Sequence, residues 1–204
     1  LIMIVVRMPI SCWKISVKRR VKMQGLLMID MQKAFDNSSW GERNNPQLEV
    51  NSQKLLNFFR EKGWPVLHVQ HVSENTQSRF HVSQGQDFKD GFQPCPGEPV
   101  FQKIVNSAFI GTNLKSYLRD KRIDKLVIAG LTLPHCVSTT TRMAANLGFK
   151  TLLISDATAS FALPNLDGHL IDPEVLHTIN LVSLHGEFAQ VMTTEEFMGD
   201  DNDT

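Results

Sequence analysis

The thiol of Cys136 is the group whose position in the sequence most favours chemistry. An apolar run over residues 126–129, closed by Gly130, predicts a buried strand followed by a sharp turn. Apolar residues at helical spacing over 137–147, stopped by Gly148, predict that a helix begins directly after Cys136. The thiol would then lie at or next to a helix N-terminus, past the carboxyl end of a strand, where free N–H groups favour a nucleophilic thiolate. The alternative is a cysteine that packs as a small buried hydrophobic residue.

A carboxylate ends another apolar run much earlier in the chain. Asp30 directly follows residues 26–29, which carry a second buried-strand signal. A carboxylate in this position can take up and return a proton as a general base and acid. An aspartate at the end of a strand also commonly caps a turn or a helix. The pattern of residues leaves both interpretations of Asp30 open, and by itself it makes Lys103 an ordinary surface lysine.

The elements that must position these groups alternate along the chain. With 204 residues, the chain is long enough for one domain with a sizeable core. Apolar patterns predict strands over 26–29, 65–71, 126–129, 151–155 and 188–192, and helices over 51–62, 113–121, 137–147 and 173–185. Repeated βα units indicate an α/β fold with a mostly parallel sheet and helices on both faces. Residues 73–99 are predicted to form a long polar loop, and the end after Phe197 to be acidic and frayed.

Charge and cysteine usage limit the classes of partner and compartment. Six of the 21 Lys and Arg residues fall within residues 1–22, which contain no acid, so the rest of the chain is net acidic. An acidic body argues against nucleic acid as a partner. Cys12, Cys95 and Cys136 have neither disulfide nor zinc spacing, which favours a reducing, cytoplasmic location.

The first 22 residues differ in character from the rest of the chain. Their apolar start is too short to span a bilayer and precedes its basic residues, unlike a secretory signal. We therefore expect no membrane partner. Residues 1–22 are predicted to be an extension outside the domain, with an extra edge strand or a partner-binding arm as alternatives. The predicted domain covers residues 23–198, and residues 199–204 form an acidic tail.

Five segments, in order, carry a resemblance to a known family. They read LMIDMQKAF (27–35), FQKIVNSAF (101–109), GLTLPHCV (130–137), DATA (156–159) and LHGEFA (184–189). Together they resemble the motifs of the isochorismatase-like cysteine hydrolases, a superfamily that includes nicotinamidases and N-carbamoyl amide hydrolases. Each motif alone is modest, but five in the right order are specific. The chain departs from the family at Leu133 and Pro134, where members often have Thr-Asp, and this changes the chemistry of the turn.

The resemblance implies a fold and a set of catalytic roles. The fold would be a three-layer α/β/α, Rossmann-like arrangement with a six-stranded sheet in the order 3-2-1-4-5-6. Cys136 would be the nucleophile, Asp30 the general acid and base, and Lys103 the cation that stabilises the thiolate. The Leu131–Thr132 peptide would be cis, and the backbone N–H groups of Thr132 and Cys136 would form the oxyanion hole.

Three aromatic residues are candidates for the substrate pocket. Phe35 resembles the pocket aromatic of the family, Trp40 lies in a polar loop where a bulky aromatic has little structural reason to be, and Phe109 follows the lysine segment. Each is equally compatible with core packing. Nicotinamidases hold zinc or iron with an Asp-x-His pair and a second histidine, but no such pair follows the strand that contains His68 and His71. Alternation along a strand would place these two histidines on opposite faces, so we expect no metal and no cofactor. His71, at the carboxyl end of the strand, is expected to line the pocket.

The function implied by the resemblance is hydrolysis of a small-molecule amide or N-carbamoyl compound through a thioester. Two alternatives are an isochorismatase-type hydrolase of vinyl ethers and a non-catalytic oligomeric scaffold with a vestigial site. Family members that cleave vinyl ethers typically lack the cysteine, so Cys136 argues against the first alternative. Members of this fold commonly form oligomers whose subunits complete the pocket, which leads us to expect a homodimer or homotetramer.

Overall fold

A single parallel sheet forms the centre of the molecule in the computed structural model, which describes residues 23–200. Its six strands are β1 (Met23–Ile29), β2 (Val66–His71), β3 (Val100–Lys103), β4 (Ile123–Leu131), β5 (Lys150–Ala159) and β6 (Gln190–Met192). They lie in the order β3-β2-β1-β4-β5-β6, and every neighbouring pair is parallel. The predicted α/β class and the predicted order are therefore confirmed. The predicted extension, 1–22, lies outside the described residues, as do 201–204.

Helices cover both faces of this sheet. They are α1 (Leu48–Glu61), α2 (Leu114–Asp120), α3 (Ser138–Asn146), α4 (Pro173–Leu184) and α5 (Thr194–Asp200). Alternate residues of β1 divide between two hydrophobic clusters: Leu26 and Met28 pack with α1 and α5, while Leu27 and Ile29 pack with α2, α3 and α4. Because β1 is buried on both faces, it reads in the sequence as a continuous apolar run. No helix among residues 23–200 is long and apolar enough to cross a membrane.

Local sequence patterns do not predict β3, the full length of α5, or a short antiparallel hairpin in which Leu163–Pro164 pairs with Leu170–Ile171. Strand β3 is short and alternates between exposed and buried residues, so its sequence carries no apolar run. Helix α5 continues to Asp200, whereas the sequence predicts a frayed end after Phe197. Phe197 anchors this helix because its ring stacks on that of Phe59 in α1, with centroids 5.7 Å apart. Tertiary packing therefore holds a segment whose acidic composition favours disorder.

The long segment 73–99 contains no strand or helix, as predicted, but backbone hydrogen bonds tie it to the sheet. It runs beside residues 31–34, which follow β1. The Ala34 N–H donates to the Gly85 carbonyl and the Lys89 N–H to the Met31 carbonyl, each at 2.8 Å. An added Cβ at Gly85 would lie 2.5 Å from the backbone of Ala34, so only glycine permits this approach. The segment thus borders the carboxyl end of β1.

Candidate active site

Three side chains that are distant in the sequence meet at the carboxyl ends of the strands. Lys103 Nζ lies 2.7 Å from Asp30 Oδ2 and 3.3 Å from Cys136 Sγ. All three residues are buried. Ligand crevices of open parallel sheets form at this edge, so the predicted acid, amine and thiol lie together where such a fold positions reactive groups.

The strands β1 and β3 bring the acid and the amine together across β2. Asp30 follows the last residue of β1, and its N–H donates to the Val69 carbonyl of β2 at 3.0 Å. Lys103 is the last residue of β3 and pairs in register with His71 at the end of β2. Asp30 has a φ of 49°, in the left-handed region that non-glycine residues seldom adopt. Such backbone is tolerated where surrounding contacts enforce it, and it is enriched at functional sites.

Cys136 lies in a turn whose backbone closely approaches β1. At Gly130 φ is 122°, and an added Cβ would lie 2.0 Å from the carbonyl oxygen of Ile29. The Leu131–Thr132 peptide is cis, as the resemblance predicts. Cys136 then lies inside a π-helical turn, Leu133–Val137, and α3 begins only at Ser138. Cys136 therefore lies next to the N-terminus of α3 and past the carboxyl end of β4, as predicted. The π-helical turn that carries it was not predicted, and such turns are frequent at functional sites.

Burial governs the protonation of the thiol. Burial and the carboxylate of Asp30 raise the pKa of Cys136 to about 12, against the opposing effect of Lys103. Lys103 lowers this pKa, as expected of a cation beside the thiol, but desolvation has the larger effect and favours the protonated thiol. Burial also raises the pKa of Asp30, despite the lowering effect of Lys103. Asp30 Oδ1 has no hydrogen-bond partner among the described residues.

With this geometry established, comparison with known proteins identifies the chain. The family model described as the isochorismatase domain matches residues 24–196. The chain belongs to the isochorismatase family. The family protein YrdC of Bacillus subtilis is 48% identical over 178 residues, which cover 87% of this chain and 95% of that protein. A solved structure of a putative isochorismatase-family hydrolase from Chromobacterium violaceum has a TM-score of 0.85 and 38% identity, covering 90% of this chain and 95% of that one.

A relative with a named activity matches a shorter part of the chain. N-carbamoylsarcosine amidase from an Arthrobacter species is 31% identical over 121 residues, which cover 50% of this chain and 46% of that protein. The resemblance to isochorismatase-like hydrolases is thus confirmed by the family model, by relatives of similar length and by a solved structure.

His71 belongs to the same cluster in this isochorismatase-family site. Its Nδ1 lies 3.0 Å from Lys103 Nζ, so it joins the ammonium that contacts the acid and the thiol. Burial, with a smaller effect of Lys103, lowers the pKa of His71 to about 4, so the imidazole is neutral near neutral pH. His68 lies apart, with its Nε2 2.8 Å from Glu98. The expectation that the two histidines separate is consistent with these contacts.

Two residues near the cluster were not singled out by the sequence. Gln32 is fully buried, and its amide accepts from the His71 N–H at 2.8 Å and donates to the His71 carbonyl at 2.9 Å. Asn106 Oδ1 lies 3.9 Å from Cys136 Sγ. Both residues lie within segments that resemble the family motifs. Gln32 could have been singled out because it is a polar residue two positions after Asp30, which ends the strand.

The aromatic candidates separate into two places. Phe35 and Trp40 form a cluster with Phe80 and Phe161, in which the rings of Phe35 and Trp40 are 5.2 Å apart. Phe80 connects this cluster to the site because its ring lies 4.7 Å from that of His71. Phe109 stacks instead on Phe149 at 5.9 Å, within the other hydrophobic cluster. The structure therefore places Phe35 and Trp40 in an aromatic wall that reaches His71, but gives Phe109 no such connection.

The cluster also has donor types that metal ions bind. One ligand atom each from Asp30, His71 and Cys136 lie within 4.8 Å of one another. However, the ammonium of Lys103 is within hydrogen-bonding distance of all three side chains. A divalent cation would have to displace this positive charge and would be repelled by it. The donor set therefore suits an ammonium better than a resident metal.

Proposed function

We propose that this protein is a cysteine hydrolase that cleaves the C–N bond of a small amide or N-carbamoyl compound through a thioester on Cys136. The position of Lys103 Nζ, within hydrogen-bonding distance of both Asp30 and Cys136, is the observation that carries the proposal. It joins a nucleophile, a proton acceptor and a cation in one buried site. Similarity to N-carbamoylsarcosine amidase supports the same class of bond.

The first step is attack by the thiol on the substrate carbonyl. Because burial and Asp30 raise the pKa of Cys136 to about 12, the proton must leave as the S–C bond forms. Asp30 accepts this proton, and burial favours that role by raising the pKa of its carboxyl group. Lys103 then stabilises the negative charge that develops on sulfur. The backbone N–H groups of Thr132 and Cys136 are our candidates for stabilising the oxyanion.

The second half of the reaction returns the proton and regenerates the thiol. The tetrahedral intermediate collapses, the C–N bond breaks, and Asp30 gives its proton to the leaving nitrogen. Water then attacks the thioester while Asp30 removes one of its protons. The S–C bond breaks, and that proton returns to Cys136. Asp30 Oδ1, which has no partner among residues 23–200, is the atom available for these transfers.

The test is hydrolysis of a panel of small amides and N-carbamoyl compounds, followed by measurement of released ammonia. Cys136→Ala should abolish turnover, while Cys95→Ala, at an exposed cysteine, should retain it. Mass spectrometry of the intact protein during turnover should reveal an acyl adduct on Cys136. Full activity of Cys136→Ala on any substrate found would refute the thioester.

The same panel distinguishes the alternative functions. A vinyl-ether hydrolase would act on an enol ether, release no ammonia and form no adduct on Cys136. A vestigial scaffold would neither turn over any substrate nor accumulate an adduct. The buried ion pair between Lys103 and Asp30 favours catalysis over a scaffold, because a buried charge pair adds little net stability and needs another reason to be present.

A further inference from the structure

The hydrogen bonds of the Lys103 ammonium determine which nitrogen of His71 carries the proton. An ammonium has three N–H donors and no acceptor lone pair. Lys103 Nζ has three neighbours within hydrogen-bonding distance: Asp30 Oδ2 at 2.7 Å, His71 Nδ1 at 3.0 Å and Cys136 Sγ at 3.3 Å. Each donor therefore has one acceptor. His71 Nδ1 must be the acceptor in its pair, so a neutral His71 carries its proton on Nε2.

The second ring nitrogen has a different environment. Nδ1 is the ring nitrogen that contacts Lys103, which leaves Nε2 available to another partner. His71 lines a cavity of about 550 Å³ together with polar residues that include Ser73, Ser78 and Gln102. The Gln32 amide binds both backbone groups of His71, and the ring of Phe80 packs 4.7 Å from the imidazole ring. The imidazole is thus a fixed donor beside a polar cavity.

We propose that the Nε2–H of His71 donates a hydrogen bond to an oxygen of the substrate outside the scissile amide. This inference rests on the proposed hydrolase function and assigns His71 as a residue that determines specificity. Lys103 would then have two roles. It contacts the reacting groups, and it fixes the tautomer of His71, which positions the substrate.

The cavity also indicates the class of the recognised group. Glu74 lines the same cavity, so a carboxylate on the substrate would meet a like charge there. A neutral acceptor, such as a second carbonyl or a ureido oxygen, avoids that repulsion. The preferred substrate is therefore an uncharged amide with a second carbonyl group, rather than a simple alkyl amide.

The first test measures the tautomer directly, without any substrate. Nitrogen chemical shifts of the ¹⁵N-labelled protein distinguish the two neutral tautomers, and the signals of His71 are assigned by their loss in His71→Asn. We expect the Nε2–H tautomer near neutral pH. A proton on Nδ1, or a charged imidazole, would overturn the proposal even if the protein proves to be a hydrolase.

The second test measures recognition by a variant that cannot turn over. Acetoacetamide and butyramide differ only in a carbonyl in place of one methylene group. In the Cys136→Ala protein, acetoacetamide should bind roughly two- to tenfold more tightly and shift the His71 Nε2–H signal, as expected for one hydrogen bond. Equal binding of the two compounds, or an unchanged signal, would eliminate the donor role whether or not the wild-type protein hydrolyses amides.

Two further variants separate this role from a structural one. The asparagine side chain of His71→Asn places an acceptor near the position of Nδ1 but no donor near Nε2. The glutamine side chain of His71→Gln reaches the position of Nε2 and can donate there. We expect His71→Gln to retain the preference for acetoacetamide and His71→Asn to lose it. If His71 served only as an acceptor for Lys103, neither the wild-type protein nor the variants would prefer acetoacetamide.

Discussion

The ammonium of Lys103 and the carboxylate of Asp30 form an ion pair with Nζ and Oδ2 2.7 Å apart, and both side chains are completely buried. The two residues are 73 positions apart in the sequence; Asp30 follows β1 and Lys103 ends β3, and these two strands do not pair with each other. Each charge is stable in the interior only because the other is present. Because each charge depends on the other, the site should be most sensitive to substitution of one member of this pair.

Removing one member of the pair should therefore destabilise the fold. Lys103→Met keeps an apolar stem of similar length but leaves the Asp30 carboxylate without its cation. We expect the free energy of unfolding to fall by about 3–5 kcal/mol, measured by urea denaturation. The double variant Asp30→Asn with Lys103→Met should recover part of this loss, because no buried charge remains. A loss below about 1 kcal/mol, typical of exposed ion pairs, would contradict the buried pair.

The thiol of Cys136 should react slowly in the resting protein. A rise of its pKa from 9.0 to about 12 lowers the thiolate fraction near neutral pH about a thousandfold. Alkylation by iodoacetamide, followed by peptide mass spectrometry, should be much slower at Cys136 than at the exposed Cys95 and should accelerate as the pH rises. Faster alkylation of Cys136 near neutral pH would mean that the resting site holds a thiolate and needs no general base.

The free energy of unfolding should fall at acidic pH because Glu98, which precedes β3, becomes protonated. Burial raises the pKa of Glu98, but hydrogen bonds from Arg60, the Cys95 N–H and His68 together lower it to about 2. Because this is below its ordinary value of 4.5, Glu98 stabilises the fold above pH 4.5, and its contribution is lost as the pH falls towards 2. Glu98→Gln should therefore flatten the decline of unfolding free energy over this range. Glu61→Gln, an exposed glutamate beside Arg60, should retain the wild-type slope, and equal slopes for all three proteins would contradict this role.

Gly130 should tolerate no side chain. A Cβ there would lie 2.0 Å from the Ile29 carbonyl oxygen, on the strand that leads into Asp30. Gly130→Ala should unfold the protein or shift the turn that carries Cys136, as measured by thermal denaturation. Gly63→Ala is the matched control, because Gly63 also has a positive φ, 66°, but nothing lies within 4 Å of an added Cβ. We expect the control to lose only about 1–2 kcal/mol, and a similar small loss at Gly130 would argue against the close approach.

Local patterns in the sequence predicted most of the elements, for identifiable reasons. Strands β1, β2, β4 and β5 are apolar because both of their faces are covered, and their helices carry apolar residues at regular spacing. Strand β3 lies at the edge of the sheet and exposes alternate residues, so its pattern does not distinguish it from a loop. It nevertheless carries Lys103, and only resemblance to the family drew attention to that residue.

The sequence by itself determined the class of fold, the order of its strands through the family motifs, and the three side chains of the candidate site. Tertiary structure alone decided their chemical state. The protonation of each side chain depends on its burial and on its distance from other charges. Neither quantity can be read from the spacing of residues in the sequence. That is why the pKa of Cys136 is raised by burial despite the cation beside it, and why His71, expected only to line a pocket, lies against the ammonium of Lys103.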